Sequence, residues 1–533
     1  MMLRSLLPAA FAAALLTAVP LSMLSAAVSA AEPDKAEAKA AEGDKSPADR
    51  KDGGKTEEPI PKEAAVLSHG EVEVGGKPIA YTASTGTLLI RDDEGKPQAS
   101  VFYVAYTADG GKNPPASRPV TFLYNGGPGS ASLWLHMGSF GPVRLVTASP
   151  DPSGPAPYKL VNNGDSLLDR SDLVFIDAIG TGFSKPVGKA SGKDFWGTDQ
   201  DAASFGKFIE RYLTVNQRWN SPKFLIGESY GTPRSAVLSK VLQDDGVSLN
   251  GVVLVSSILN YAVRIPGLDE EFIDYLPSFA AIAWYHDKLN PKPADLAAYV
   301  QEVRGFARGE YAAALAQGHN LPKAQLDAVA AKLSRYTGLS VAFIEDANLR
   351  VSAPRFRAEL LRGERRTMGR YDARFEGIDP DAGGENPASD ASDTGIKGAF
   401  TAAFNDYLEH TLKYSSEVPY ALSGRDINKD WDWKHKVPGR DRPIQLPSTA
   451  GDLAAAMREN PKLKVFSANG WFDLATPFFA TEFDLSHMEL DPALVQNVQF
   501  GYYPAGHMIY LNPEALKQLK GDLAKFYDAA AKS

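Results

Sequence analysis

The amino-acid sequence predicts an α/β fold: a mostly parallel central sheet with helices on both faces, interrupted by a helical insertion. Three observations carry this. Short apolar runs suited to buried strands alternate with helix patterns between residues 120 and 255. The alternation stops around Arg264. It resumes at Lys464 and closes on a long amphipathic helix.

Residues 31–62 are Ala, Glu, Lys, Asp and Pro with almost no large apolar side chains, which reads as a disordered linker. The ordered part is expected to begin near Ala64. Two alternating stretches, Pro78 to Arg91 and Ala99 to Thr107, read as strands separated by the polar turn Asp92 to Lys96. Val120 to Tyr124, Asp172 to Asp177, Lys223 to Ile226 and Gly251 to Val255 are the apolar runs of buried strands. Thr198 to Tyr212 is a helix with Phe205, Phe208, Ile209 and Tyr212 on one face and Thr198 and Asp201 spaced as a capping box. Residues 264–445 are rich in helix formers, as in Asp295 to Ala307 and Ala324 to Leu333, with a Gly/Asp/Ser loop at Gly377 to Gly395. Lys464 to Ala468 and Val498 to Tyr503 are strands again, and Pro513 to Ala530 is the final helix. Residues 446–533 are too few to stand alone comfortably, so they complete a core begun by residues 63–263, with 264–445 as the insertion.

Residues 1–30 read as a secretory signal: Arg4 precedes an apolar Ala/Leu-rich run, and Val28-Ser29-Ala30 fits a small-x-small cleavage site. Export to the periplasm or the medium is the expectation, with no membrane attachment after cleavage; a retained membrane anchor is the alternative, since the apolar run is long enough to span a bilayer. The 533 residues, 44% hydrophobic and 23% charged, fit a soluble enzyme. A formal net charge of −9 argues against a nucleic-acid target. With no cysteine in the chain, thiolate catalysis, disulfides and Cys-based metal sites are excluded.

The chemistry-bearing residues fall at strand ends. Lys223 to Ile226 runs into Gly227-Glu228-Ser229-Tyr230-Gly231 and then a helix pattern, the arrangement of a nucleophile elbow, which exposes a serine hydroxyl on a tight strand-to-helix turn. Asn125-Gly126-Gly127-Pro128-Gly129-Ser130 follows the strand ending at Tyr124, where a second oxyanion donor is needed; Gly127 N–H and Tyr230 N–H are the expected pair. The order Ser, acid, His selects Asp473, just past Lys464 to Ala468, and His507, just past Val498 to Tyr503. His69 and His136 precede the serine, His319, His410 and His487 lie in helical patterns, and His286 and His435 lack a strand context. The fold expected is therefore of the α/β-hydrolase type. Ser229 is its nucleophile, His507 its base and Asp473 the group that orients the base.

Asn-Gly-Gly-Pro-Gly-Ser, Gly-Glu-Ser-Tyr-Gly, the acid at Asp473 and Ala505-Gly506-His507-Met508 together resemble the serine carboxypeptidase family (peptidase family S10). So does Ser171 to Asp177 followed by Gly180-Thr181-Gly182-Phe183-Ser184. The reading is of a bacterial member. The resemblance implies exopeptidase action on peptides with a free C-terminus. It implies that Asn125, Gly126 and Glu228 bind the terminal carboxylate and that Met508 lines the pocket for the leaving residue. The chain departs from the family at two places: Ser130 stands where cysteine is common, and Ser139 where a second glutamate usually pairs with the one before the serine. An esterase or acyltransferase on the same scaffold is the alternative, and a non-catalytic binding protein the remote one. No metal-ligand spacing, phosphate loop or nucleotide fingerprint is present, so no cofactor is expected; oligomeric state and side-chain preference are left open.

Overall fold

A ten-stranded sheet organises the chain in the computed structural model, which describes residues 57–110, 117–424 and 426–531, all within the unit Lys55–Ser533. The signal expected at residues 1–30 and most of the linker expected at 31–62 lie outside the described residues. Nine strands form the sheet's path: β1 (Ala64–Val74), β2 (Lys77–Arg91), β3 (Pro97–Ala108), β4 (Val120–Tyr124), β5 (Asp172–Ile176), β6 (Lys223–Glu228), β7 (Gly251–Val255), β8 (Lys464–Gly470) and β9 (Val498–Tyr503). Their order is β1-β2-β3-β5-β4-β6-β7-β8-β9, with the short strand Lys185–Pro186 paired to β3. Every pairing from β5 to β9 is parallel, and β1, β2, β3 and β5 pair antiparallel.

The chain leaves β4 for β5 on one side and returns to β6 on the other. The strand order therefore reverses between β4 and β6, and a crevice opens beyond their carboxyl ends. That crevice receives both motif loops. Strands β4, β5, β6 and β7 are buried throughout, as their apolar runs require when helices cover both faces. One face packs Phe224, Ile226 and Val253 against Leu519, Leu523 and Phe526 of α8 (Pro513–Ala530). The other packs Leu225, Val252 and Val465 against α1 (Thr198–Val215), α2 (Gly231–Asp244) and α7 (Ala450–Glu459). This is the α/β-hydrolase architecture.

Two local expectations change. Strand β1 is absent from the periodic pattern. It is an edge strand, mostly exposed, and its order comes from an eleven-residue ladder with β2. Asp201 is not a capping-box partner: the residue before α1 is Gly197, and the Asp201 carboxylate instead takes the guanidinium of Arg234 at 2.6 and 3.2 Å. Arg234 is buried and also donates to Asn125 O at 2.7 Å, so the pair anchors the loop after β4. Replacing Asp201 by Asn leaves a buried, uncompensated guanidinium. We expect a loss of about 3–5 kcal/mol in unfolding free energy, measurable by denaturant titration.

Between β7 and β8 the chain is mainly helical, with α3 (Glu270–Tyr285), α4 (Leu296–Phe306), α5 (Lys323–Thr337) and α6 (Lys397–His410) the longest elements. The first three share a core with Phe472, Leu474 and Phe478 on the loop after β8. Helix α6 joins the core on the sheet side, where Phe400 and Phe404 pack near Trp134, Tyr106 and Tyr420. Among the described residues no helix is long and apolar enough to cross a membrane.

Candidate active site

Strand β6 ends in Glu228, and the next residue, Ser229, turns the chain into α2 with φ of +59°. A non-glycine residue in this region stores strain, of order 1–3 kcal/mol, and here the surroundings impose it. Ser229 N–H donates to Val255 O on neighbouring β7 at 3.0 Å, while Ser229 O accepts from Thr232 N at 2.8 Å. The turn is so tight that a Cβ on Gly227 would lie 2.1 Å from Gly231 O, which is why small residues flank the serine. Ser229 itself is partly exposed.

The loops after β8 and β9 bring Asp473 and His507 together. Both are buried, and His507 Nδ1 donates to Asp473 Oδ2 at 2.7 Å. The acid is saturated: Oδ1 accepts from Ala475 N at 2.7 Å and Thr476 N at 3.0 Å, and Oδ2 also accepts from Thr476 Oγ1 at 2.7 Å. Burial pulls the imidazole toward its neutral form. The charge and hydrogen bond of Asp473 outweigh that, Glu228 adds to them and Arg370 opposes, so the His507 pKa lies above its ordinary 6.5. The His507 backbone is held on both sides, N–H to Tyr371 O at 2.6 Å and O from Ser256 Oγ at 2.5 Å. With Nδ1 committed, Nε2 is the ring nitrogen left for chemistry. Ser229 and His507 line one open cavity of about 660 Å³, together with Asn125, Gly126, Gly127, Glu228 and Met508.

The glycine-rich loop packs directly on the elbow. A Cβ on Gly126 would stand 2.3 Å from Tyr230 N and 2.5 Å from Gly231 N, so only a bare backbone approaches this closely. Among the described residues neither Gly127 N–H nor Tyr230 N–H has an acceptor, which leaves two amides available beside the serine. Asn125 Nδ2 donates to Glu228 Oε1 at 2.8 Å, and Asn125 Oδ1 accepts from Leu135 N at 2.9 Å. Burial pushes the Glu228 carboxyl up to about 7, against the pull of His507 and of donors from Tyr510 and Asn125.

Ser139, the departure noted in the sequence, turns away: it is buried and its hydroxyl donates to Leu135 O at 2.5 Å. The neighbour of Glu228 is instead Tyr510, a buried tyrosine absent from the sequence-based set. Its phenol lies against Glu228 and Asn125, and burial beside that carboxyl raises its pKa far above the ordinary value. Neither Glu228 Oε2 nor Tyr510 Oη has an aligned hydrogen-bond partner. No motif flags Tyr510; only its place three residues after His507 brings it near.

Other singled-out residues support the loops. Asp177 accepts from Ser132 N and from the Tyr420 hydroxyl, both at 2.7 Å, and burial holds its carboxyl up at about 6. Ser184 donates to Asp177 O at 2.8 Å. His136 is buried against the Tyr106 hydroxyl at 2.6 Å, and burial lowers its pKa to about 3. His435 is clamped between Asp199 (2.6 Å) and Asp452 (2.8 Å). Burial lowers its pKa, but the two carboxylates prevail and raise it to about 9. Among the described residues no cluster of three or more His, Cys, Asp or Glu side chains could hold a metal.

Comparison with solved structures finds proline iminopeptidase from Mycobacterium smegmatis, 13% identical, covering 84% of this chain and 98% of that one with a TM-score of 0.35. Among curated proteins, "Serine carboxypeptidase-like 45" of Arabidopsis thaliana is 26% identical over 224 residues, 39% of this chain and 44% of that protein. "Pheromone-processing carboxypeptidase KEX1" of Cryptococcus gattii is 34% identical over 113 residues, 21% of this chain and 16% of that protein. The chain thus spans less than half the length of the curated relatives it matches. Residues 78–275 match the model of the serine carboxypeptidase family (Peptidase_S10), a span that contains Asn125, Glu228 and Ser229 and stops short of Asp473 and His507.

Proposed function

We propose that this chain is a serine hydrolase of the carboxypeptidase type, releasing the C-terminal residue of peptides through an acyl-enzyme. One observation carries the reading: His507, held by buried Asp473 at 2.7 Å, shares a cavity with the elbow serine and with Glu228, whose carboxyl lies beside Tyr510. Ser229 Oγ attacks the scissile carbonyl, and His507 Nε2 takes its proton and hands it to the leaving amine. Gly127 and Tyr230 N–H receive the oxyanion, and water then releases the acyl group. Asn125, Gly126 and protonated Glu228 bind the terminal carboxylate, beside Met508. The matched family model and the named carboxypeptidase relatives support a peptidase. The test is hydrolysis of blocked dipeptides beside C-terminally amidated controls; equal cleavage of both would remove the exopeptidase claim. Esterase or acyltransferase activity is the second reading, motivated by Ser139, whose hydroxyl bonds back to Leu135 O and leaves Glu228 without a carboxyl partner. Hydrolysis of simple esters but of no peptide would favour it. Export of a bacterial enzyme after cleavage near Ala30 belongs to the same proposal, and N-terminal sequencing of the secreted protein tests it.

Two titrations of opposite sense follow. The base works only when neutral, so kcat/KM toward a neutral ester rises with pH through the raised His507 pKa, above 6.5. Glu228 donates to a substrate carboxylate only while protonated, so kcat/KM toward free-acid peptides falls as pH passes about 7. The expected result is a lower pH optimum for free acids than for esters, with Glu228→Gln abolishing the falling limb. Superimposable profiles would exclude a protonated Glu228 in recognition.

A further inference from the structure

We propose that Arg370 is a specificity-determining residue that binds a carboxylate of the peptide substrate; this rests on the carboxypeptidase reading of the same cavity. The residue sits on a strap from the helical region that crosses both the acid and the base loops. Leu474 N donates to Arg370 O at 3.0 Å, Ala373 N to Phe472 O at 3.0 Å, and His507 N to Tyr371 O at 2.6 Å. Arg370 N is itself fixed to Asp390 Oδ1 at 2.9 Å. A backbone tied at four points to Asp473, His507 and Asp390 loops positions the side chain that it carries.

That side chain is exposed on the wall of the cavity holding Ser229 and His507, and among the described residues its guanidinium makes no ion pair. Its contact is the ring of Tyr371, 5.6 Å from the guanidinium carbon. The other charges on this wall are already matched: Asp393 stands 3.7 Å from Lys397, and Asp390 is occupied by three donors and lies 4.0 Å from Arg357. One cation is thus left over on the wall of the cavity that also holds Ser229 and His507, and its charge opposes protonation of His507. A planar guanidinium pairs with a carboxylate through two parallel N–H···O bonds, a geometry that favours Arg over Lys. With the terminal carboxylate taken by Asn125, Gly126 and Glu228 in the proposed function, the partner left for Arg370 is an Asp or Glu side chain flanking the scissile bond.

The test uses blocked peptides in three matched pairs: Glu against Gln on the acyl side, Glu against Gln on the leaving side, and free acid against amide. Expected is a preference of about tenfold for the charged member of one Glu/Gln pair, falling to near unity in Arg370→Gln and partly restored in Arg370→Lys, with the acid/amide ratio unchanged. Loss confined to one Glu/Gln ratio supports the proposal and says on which side of the scissile bond the carboxylate lies; loss confined to the acid/amide ratio overturns it. If Arg370→Gln leaves all three ratios where they were, the proposal is wrong even though the carboxypeptidase reading stands. A wild-type enzyme that is labelled at Ser229 by a fluorophosphonate yet cleaves none of the peptides overturns both.

Discussion

Ser229→Ala is expected to lower kcat by roughly 10⁴ to 10⁶ while the protein stays folded. The size follows from the proposed mechanism: without the hydroxyl no acyl-enzyme would form, and what would remain is binding plus the two amides of Gly127 and Tyr230. Folding should survive because the elbow's strain is carried by the backbone. The Ser229 N–H bond to Val255 O and the Thr232 N bond to Ser229 O are both untouched. Alanine pays a similar cost to serine at φ of +59°. Steady-state kinetics with a fluorophosphonate-labelling control and a thermal melt decide the matter. A variant that keeps most of its turnover would show that another residue performs the chemistry.

Asp473→Asn is expected to cost roughly 10⁴ in kcat, again with the fold intact. The hydrogen bonds dictate how the amide must sit. Oδ1 accepts from two backbone N–H groups, Ala475 and Thr476, so an NH₂ cannot face them. The asparagine therefore turns its NH₂ toward His507 Nδ1, where the carboxylate had accepted. An imidazole facing a donor places its proton on Nε2, the nitrogen that the proposed mechanism needs as the base toward Ser229. Loss of the carboxylate also removes the largest influence raising the His507 pKa, while burial continues to lower it. The residual activity of this variant should therefore show an acid limb at lower pH than wild type. An unchanged kcat would mean that Asp473 only anchors its loop.

Strand boundaries show how far local pattern reaches. Val120–Tyr124, Gly251–Val255, Val498–Tyr503 and Pro513–Ala530 have the limits expected from apolar runs and helical periodicity. Val120–Tyr124 and Gly251–Val255 are buried at every position and Pro513–Ala530 buries one face, so apolar pattern marks them; Val498–Tyr503 is an edge strand buried only at Gly501 and Tyr503, and its alternation and β-forming residues mark it instead. Edge strand β1 buries little and is legible only through its partner β2. The pairing of Thr198 with Asp201 as a cap failed for a related reason. A buried arginine 33 residues further along the chain competes for the same carboxylate, and a buried ion pair outweighs a local cap.

The sequence by itself determined the alternation that builds a parallel sheet, and the strand-end loops that carry Ser229, Asp473 and His507. These are local facts, written in spacings of two and 3.6 residues and in glycines beside tight turns. Only the tertiary structure decided what surrounds them. It put Tyr510 rather than Ser139 against Glu228, locked Arg234 onto Asp201 beneath Asn125, and drew the strap carrying Arg370 across Asp473 and His507. Each of these depends on chain segments brought together by packing of the core. Such contacts leave no periodic trace in the residues that make them, because burial, charge and hydrogen bonding across long separations are set by the fold as a whole.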